Sequence, residues 1–284
     1  MGLPQELIDK IMDMLHNDVR ALKACSLTCK AMFGSTRHLV HQSLYLTVRT
    51  NQSILTREEK SRYRAGDYHD VNLRFLSFMG EHGFLQYTRR VYVRDPIRFN
   101  PDTLLPHMYH FQSLDRVHTL VFEGFDAISW ANHYKTYFIH FYPTLTSLTL
   151  SRPRGRYRDL VEFVLQFQNL ENLCLEWLGD GGQIRPDPSG PIIVDQFPPF
   201  RGHLRLAFGA AIGWLADFFR DFQNRISFRS VEVEAGFFGD GVQYYILNLC
   251  PDTLENLTIV FPGKGMHQLS FLSLDMAERM ISFR

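Results

Sequence analysis

Between Leu145 and Leu150 apolar and polar residues alternate, with Leu148 and Leu150 set to one side and Ser147, Thr149 and Ser151 to the other. A period of two is the pattern of a strand with one packed and one open face. Imperfect copies recur at Arg90–Val93, Thr119–Phe122, Asn172–Leu175, His203–Leu206, Ser230–Val233 and Asn256–Ile259. Their last apolar residues fall at 93, 122, 150, 175, 206, 233 and 259, in steps of 29, 28, 25, 31, 27 and 26. Such a step predicts stacked units, each burying its apolar face only against its neighbours. Pro96, Pro153 and Pro262 each stand three residues past the last apolar position, where they would stop a strand.

Helix-like apolar stretches lie between the strands, at Val71–Met79, Ile128–Phe141, Tyr157–Phe167, Trp214–Phe222 and Val242–Leu249. Strand, loop, helix and return coil right-handedly, which puts helices outside a parallel sheet. The expected fold class is α/β, with a solenoid over residues 47–284 whose parallel sheet forms the open face. Leu44, Leu46 and Val48 alternate as a first strand, and Asn51–Asp70 is dense in charge and reads as an exposed loop. Leu269–Leu274 follows Ile259 too soon for a full helix and is expected to cap the array. Gly179–Gly202 carries prolines at 186, 188, 191, 198 and 199, so it is expected to resist pairing and stand off the rim. Three residues past the last apolar positions stand Pro96, Phe125, Pro153, Leu178, Gly209, Gly236 and Pro262. These form no asparagine or cysteine ladder, so the repeats are irregular.

Residues 1–46 have a helical period instead. Pro4 suits the start of a helix and Glu6 its positive end. Leu7, Ile11, Met14 and Leu15 share a face that Ile8 and Met12 widen. Asp18 is positioned to cap a second helix carrying Val19, Leu22 and Cys25. Ser26 is the expected cap of a third helix running through Leu27, Met32 and Phe33 to Gly34, with a short fourth around Leu39. So few residues make a small core that needs something to dock on.

Leu3-Pro4-x-Glu6-Leu7, Ile11, Leu15, Asp18, Leu22, Cys25-Ser26-Leu27-Thr28-Cys29-Lys30 and Phe33 resemble an F-box, particularly its fungal-type variants. The resemblance covers roughly residues 3–46, and Phe33 stands near where the family often has tryptophan. It implies that Leu3, Pro4, Leu7, Ile8, Ile11 and Leu15 bind a Skp-type adaptor. It also implies that the adaptor links the chain to a cullin-RING ubiquitin ligase, while the repeats recruit a target protein. Leucine-rich repeats commonly follow this motif, so both halves point to a substrate receptor in the cytoplasm or nucleus. The alternative is an adaptor-independent repeat scaffold whose first helices only cap the array, a physical need of such arrays. A third reading is a hydrolase or transferase on an α/β body.

Thirty basic and 30 acidic residues cancel, so no overall field favours nucleic acid or an anionic membrane, and neither partner is expected. Local patches must carry any charge preference. The alternate strand positions place Arg90, Tyr92 and Arg94 at one end of the open face and Glu232 and Glu234 toward the other. Arg152, Arg154, Arg156 and Arg158 crowd a loop after one strand. Guanidinium groups pair with carboxylates and phosphates, so these residues are the candidate target contacts, for an acidic or phosphorylated segment.

Catalysis finds little footing. Gly-x-Ser-x-Gly, Gly-x-x-x-x-Gly-Lys and His-Glu-x-x-His motifs are absent. Cys25 and Cys29 with His38 and His41 imitate a zinc set, but the gap between the pairs is short and apolar. Neither metal nor cofactor is expected. Four scattered cysteines suit a reducing compartment better than a disulfide framework, and no secretory or myristoylation pattern is read.

Overall fold

The computed structural model describes residues 3–16, 18–47, 73–94, 109–125, 138–176, 184–185, 200–207, 226–234, 253–261 and 267–271. The fold is α/β, and the chain divides into two compact units, Met1–Thr119 and Leu120–Arg284.

The first unit opens with helices α1 (Gln5–Met14), α2 (Val19–Ser26) and α3 (Lys30–Val40). Ile8 and Met12, one turn apart on α1, meet Leu22 of α2, and Leu15, Cys25, Ala31, Met32, Leu39 and Val40 close around them. The Pro4 carbonyl accepts from the amides of Leu7 and Ile8 and starts α1. Asp18 caps α2 as its position predicts, accepting from the Ala21 amide at 2.9 Å. Ser26 does not cap a helix. Its hydroxyl donates back to the Lys23 carbonyl inside α2, and Cys29 stands at the start of α3 instead. The expected third and fourth helices are one, because α3 continues through Gly34 and Leu39. A helical glycine costs about 1 kcal/mol, which the inward packing of Ala31, Met32, Leu39 and Val40 offsets. Gln5 and Asp9 of α1 both reach Ser35 of α3, the Ser35 hydroxyl donating to Asp9 at 2.6 Å, which fixes the two helices together.

Two parallel strands follow, β1 (Ser43–Thr47) and β2 (Arg90–Arg94), with Ser43 opposite Arg90 and Thr47 opposite Arg94. Leu44, Leu46, Val91 and Val93 turn inward, as the alternation requires. Helix α4 (Leu73–Glu81) ends two residues later than the apolar stretch suggests. Short 3-10 turns at Leu85–Tyr87 and Tyr109–Ser113 precede β2 and β3 (Thr119–Glu123). They bury Leu85 and Phe111, and their short runs leave no helical period to read.

The second unit carries β4 (Ser147–Ser151), β5 (Gly155–Arg156), α5 (Tyr157–Leu165), β6 (Asn172–Glu176), β7 (Ile184–Arg185), β8 (Phe200–Ala207), β9 (Ile226–Glu234), β10 (Asn256–Phe261) and β11 (His267–Phe271). Its main sheet runs in the order β3, β4, β6, β8, β9, β10, β11. Pairing is parallel from β4 to β10, and β11 returns antiparallel on β10. A short direct link suits this reversal, since a parallel return needs room for a crossover. Phe122, Phe125, Phe138, Phe141, Phe163 and Phe167 fill the core beneath β3, β4 and α5. Phe163 alone meets Phe125 at 4.5 Å, Phe122 at 5.8 Å and Phe167 at 5.0 Å between ring centroids.

Successive copies are tied through their backbones just ahead of the strands. The Gln42 carbonyl accepts from the Arg89 and Arg90 amides, and Arg89 from His118 and Thr119. Thr146 accepts from Glu171 and Asn172, Glu171 from His203, and Arg229 from Glu255. Side chains add rungs here: Thr88 donates to the His41 carbonyl, Asn169 to Pro143 and Thr253 to Phe228. Rungs therefore exist, but they stand two or three residues before the strands rather than past their ends.

Three other expectations change. The proline-bearing insertion does pair in part, since Ile184 and Arg185 lie against Gly155 and Arg156, and its last residues already belong to β8. Ser151, expected on the open face, is buried, and so is Ala207, which follows the outward Arg205 on the same alternation of β8. The described end of the 128–141 stretch is helical at Phe138 and tightens into a 3-10 turn at Ile139–Phe141. Residues 51–70, 128–137, 214–222 and 242–249 lie outside the described residues. Among the described residues, no helix is long and apolar enough to cross a membrane.

Candidate binding surfaces

Helix α1 is apolar on two sides. Ile8 and Met12 point into the helical core, while Leu7, Ile11 and Met14, spaced by four and three residues, and Leu3 just ahead of the helix stay between 41% and 83% exposed. Residues at that spacing within a helix share one stripe. Of the six residues expected to meet an adaptor, Leu7 and Ile11 lie together on this stripe, and Leu3 and Pro4 are exposed at its start. Ile8 is only 6% exposed, and Leu15 is half-buried against the same core, so both hold the helices together instead. Met14 completes the stripe; its three-residue spacing from Ile11 already signals this. Leu27, just past the end of α2, and Phe33 on α3 add exposed apolar surface.

The open strand face divides into described patches. In the first unit Arg90 is exposed, and Tyr92 stacks on Tyr45 with ring centroids 4.5 Å apart and planes 9° from parallel. Arg94 ends β2 on the same alternation. In the second unit Thr149, Cys174, Arg205, Glu232 and Thr258 form one row through the register of neighbouring strands. Arg205 pairs with Glu232 at 3.0 Å, so the expected acidic end is partly offset. Both partners are more than a third exposed, and such pairs contribute about 0–1 kcal/mol. Arg205 and Glu232 occupy the same position in consecutive copies, a signal readable from the repeat itself. Burial, and then the Glu176 carboxylate beside it, push the Cys174 thiol up to about 12. Its sulfur stays protonated at neutral pH, and it contacts Glu176 at 3.5 Å.

The arginine loop after β4 is more ordered than its composition implies. Arg152 takes a left-handed backbone, φ 52°, and its amide donates to the Glu176 carbonyl. Its guanidinium donates to Glu123 at 2.7 Å. The Arg154 amide donates to the Phe125 carbonyl, and Arg154 is exposed. Arg156 lies in β5 opposite Arg185, and Arg158 lies in the first turn of α5. These two are therefore in a strand and a helix rather than a loop, because β5 pairs with β7 and α5 begins directly after it. Glu234 ends β9.

Among the described residues, no group of three or more histidine, cysteine or acidic side chains is placed to hold a metal ion. That includes Cys25, Cys29, His38 and His41. Comparison with known proteins finds no matching family model, no similar curated protein and no similar solved structure.

Proposed function

We propose that this chain is a substrate receptor of the F-box type. In this reading α1 binds a Skp-type adaptor of a cullin-RING ubiquitin ligase, and the irregular leucine-rich repeats hold a target protein. Its role is proximity rather than catalysis, with the chemistry supplied by the ligase. The observation that carries the reading is the uncovered stripe of Leu7, Ile11 and Met14, with Leu3 exposed just ahead of it, back to back with the buried Ile8 and Met12. Three neighbouring apolar side chains left open on one helix whose other side is packed, with a fourth at its start, are the mark of an interaction surface. Burying a side chain of this size contributes about 1.5–3 kcal/mol, and less for one already partly covered. The strand recurrence every 25 to 31 residues, with parallel pairing and polar residues on the outward alternation, supports the repeat half.

Binding of a purified Skp-type adaptor to the intact chain tests the proposal, alongside a Leu7→Asp, Ile11→Asp variant checked for folding by circular dichroism. The expected outcome is binding by the wild type and its loss in a folded variant. Absence of binding by the folded wild type overturns the receptor reading.

The adaptor-independent scaffold has its own supporting observation within the first unit. The end of α3 lies on the turn before β2, where His41 stacks on Phe84 at 4.7 Å and the Arg37 guanidinium sits 5.3 Å from the Tyr87 ring centre. A cap would make such contacts. Under that reading the adaptor does not bind, and the α1 substitutions leave target capture unchanged.

A further inference from the structure

Charge is compensated differently on the two described parts of the strand face. In the second unit Arg152 is drawn to Glu123 and Arg205 to Glu232. In the first unit the outward positions of β1 and β2 with described side chains are Ser43, Tyr45, Arg90 and Tyr92, which include an arginine and no acid. Val91 and Val93 fill the inward positions of β2, so the alternation leaves Arg90 and Tyr92 on one side. Arg90 is exposed, and among the described residues no carboxylate pairs with it. Two residues along, the Tyr45–Tyr92 stack presents a broad, half-buried aromatic surface. An uncompensated guanidinium beside such a surface joins two complementary demands. The arginine favours a carboxylate, with charge-assisted hydrogen bonds about twice as strong as neutral ones. The ring pair favours a flat apolar side chain, at about 0.5–1.5 kcal/mol beyond the area buried.

From this juxtaposition we infer that the β1–β2 face binds an acidic peptide segment carrying an aromatic side chain. Arg90 takes a carboxylate of the segment, and the Tyr45–Tyr92 stack takes its ring. The inference deepens the target-binding half of the proposed function and rests on it. It also moves the anion-binding role away from Arg152, whose guanidinium is already engaged by Glu123.

The test is a random-peptide phage display library panned on the intact chain, followed by titration of one synthesised enriched peptide. The enriched peptides are expected to carry Asp or Glu close to Trp, Tyr or Phe. Their affinity is expected to fall about tenfold in Arg90→Glu, the equivalent of about 1.4 kcal/mol, and to fall also in Tyr92→Ala. Arg90→Gln, which removes the charge without reversing it, is expected to give an intermediate loss. Arg205→Glu, on the compensated part of the face, is expected to leave affinity unchanged, and circular dichroism establishes that each variant folds. No enrichment, enrichment without an acidic and aromatic bias, or equal binding by the Arg90 and Tyr92 variants overturns the inference. Adaptor binding measured on the same preparations separates the two claims. Adaptor bound without peptide selection overturns only the peptide site, whereas selection without adaptor binding overturns only the ligase assignment.

Discussion

Gly34 and Gly202 both sit inside regular elements, and the space around each sets opposite expectations. A methyl group added at Gly34 on α3 meets nothing within 4 Å. Gly34→Ala is therefore expected to raise stability by about 0.5–1 kcal/mol, by removing the entropy cost of a helical glycine. At Gly202 the same methyl group would run into the backbone carbonyl of Glu171, which accepts the His203 amide. Gly202→Ala is expected to destabilise the second unit, since the obstacle is backbone and has no rotamer to yield. Thermal unfolding of the two variants beside the wild type checks both signs. Asp9 supplies a pH dependence. Hydrogen bonds from Ser35 and then Gln5 hold its carboxyl below its usual value of 3.8. A depressed carboxyl stabilises the fold above its unfolded value and loses that contribution as pH falls through the folded one. Melting temperatures of wild type and Asp9→Asn are thus expected to differ at pH 6 and to draw together as the pH is taken below 3.8. A constant difference across that range would count against the assignment.

Each strand of the second unit gains its place from what lies under it. Leu148, Leu150, Leu173, Leu175, Leu204 and Leu206 are buried at alternate positions, and the phenylalanines pack against the first of these strands from α5 and the turns. Phe163 is central to that packing, meeting the rings of Phe122, Phe125 and Phe167. Phe163→Ala is expected to cost about 3–5 kcal/mol, the range for truncating a buried aromatic. Phe163→Leu, which keeps most of the volume, is expected to cost clearly less in denaturant titrations of both variants. The same elements show why α5 was readable and the 3-10 turns were not. Val161, Val164 and Leu165 recur with a helical period beside Leu160 and Phe163, whereas Leu85–Tyr87 spans three residues, too few for any period to emerge.

For the chain as a whole, 30 basic and 30 acidic residues give an isoelectric point near 7.2. A protein near zero net charge lacks the repulsion that keeps copies apart. Together with the exposed stripe on α1, this predicts a solubility minimum close to neutral pH and a rise at pH 9, where the net charge is negative. Leu7→Asp, Ile11→Asp is expected to relieve the minimum by adding charge where apolar surface is exposed. Light scattering across pH for both proteins tests this, and a pH-independent profile would contradict it.

The spacing of Leu and Val along the chain was enough to locate the seven repeated strands and to separate inward from outward positions except at Ser151 and Ala207, and the place of Asp18 ahead of an apolar run marked the cap of α2. Those features depend on a period of two or on contacts three residues apart, which a linear pattern preserves. The first strand and the α/β class followed from the same regularity. What needed the folded chain were features built from residues far apart in sequence. Ile8 and Leu7 are adjacent and equally apolar, yet only the packing of α1 against α2 and α3 decides that Ile8 is inside and Leu7 outside. Arg152 and Arg90 look alike as charges, but Glu123 engages one, while no described carboxylate pairs with the other. The pairing of β5 with β7, the reversal of β11 and the rungs ahead of the strands likewise depend on which segments meet. Hydrophobic period fixes which side of an element turns inward; which polar groups are cancelled, and which apolar ones stay uncovered, is set by neighbours that only folding brings together.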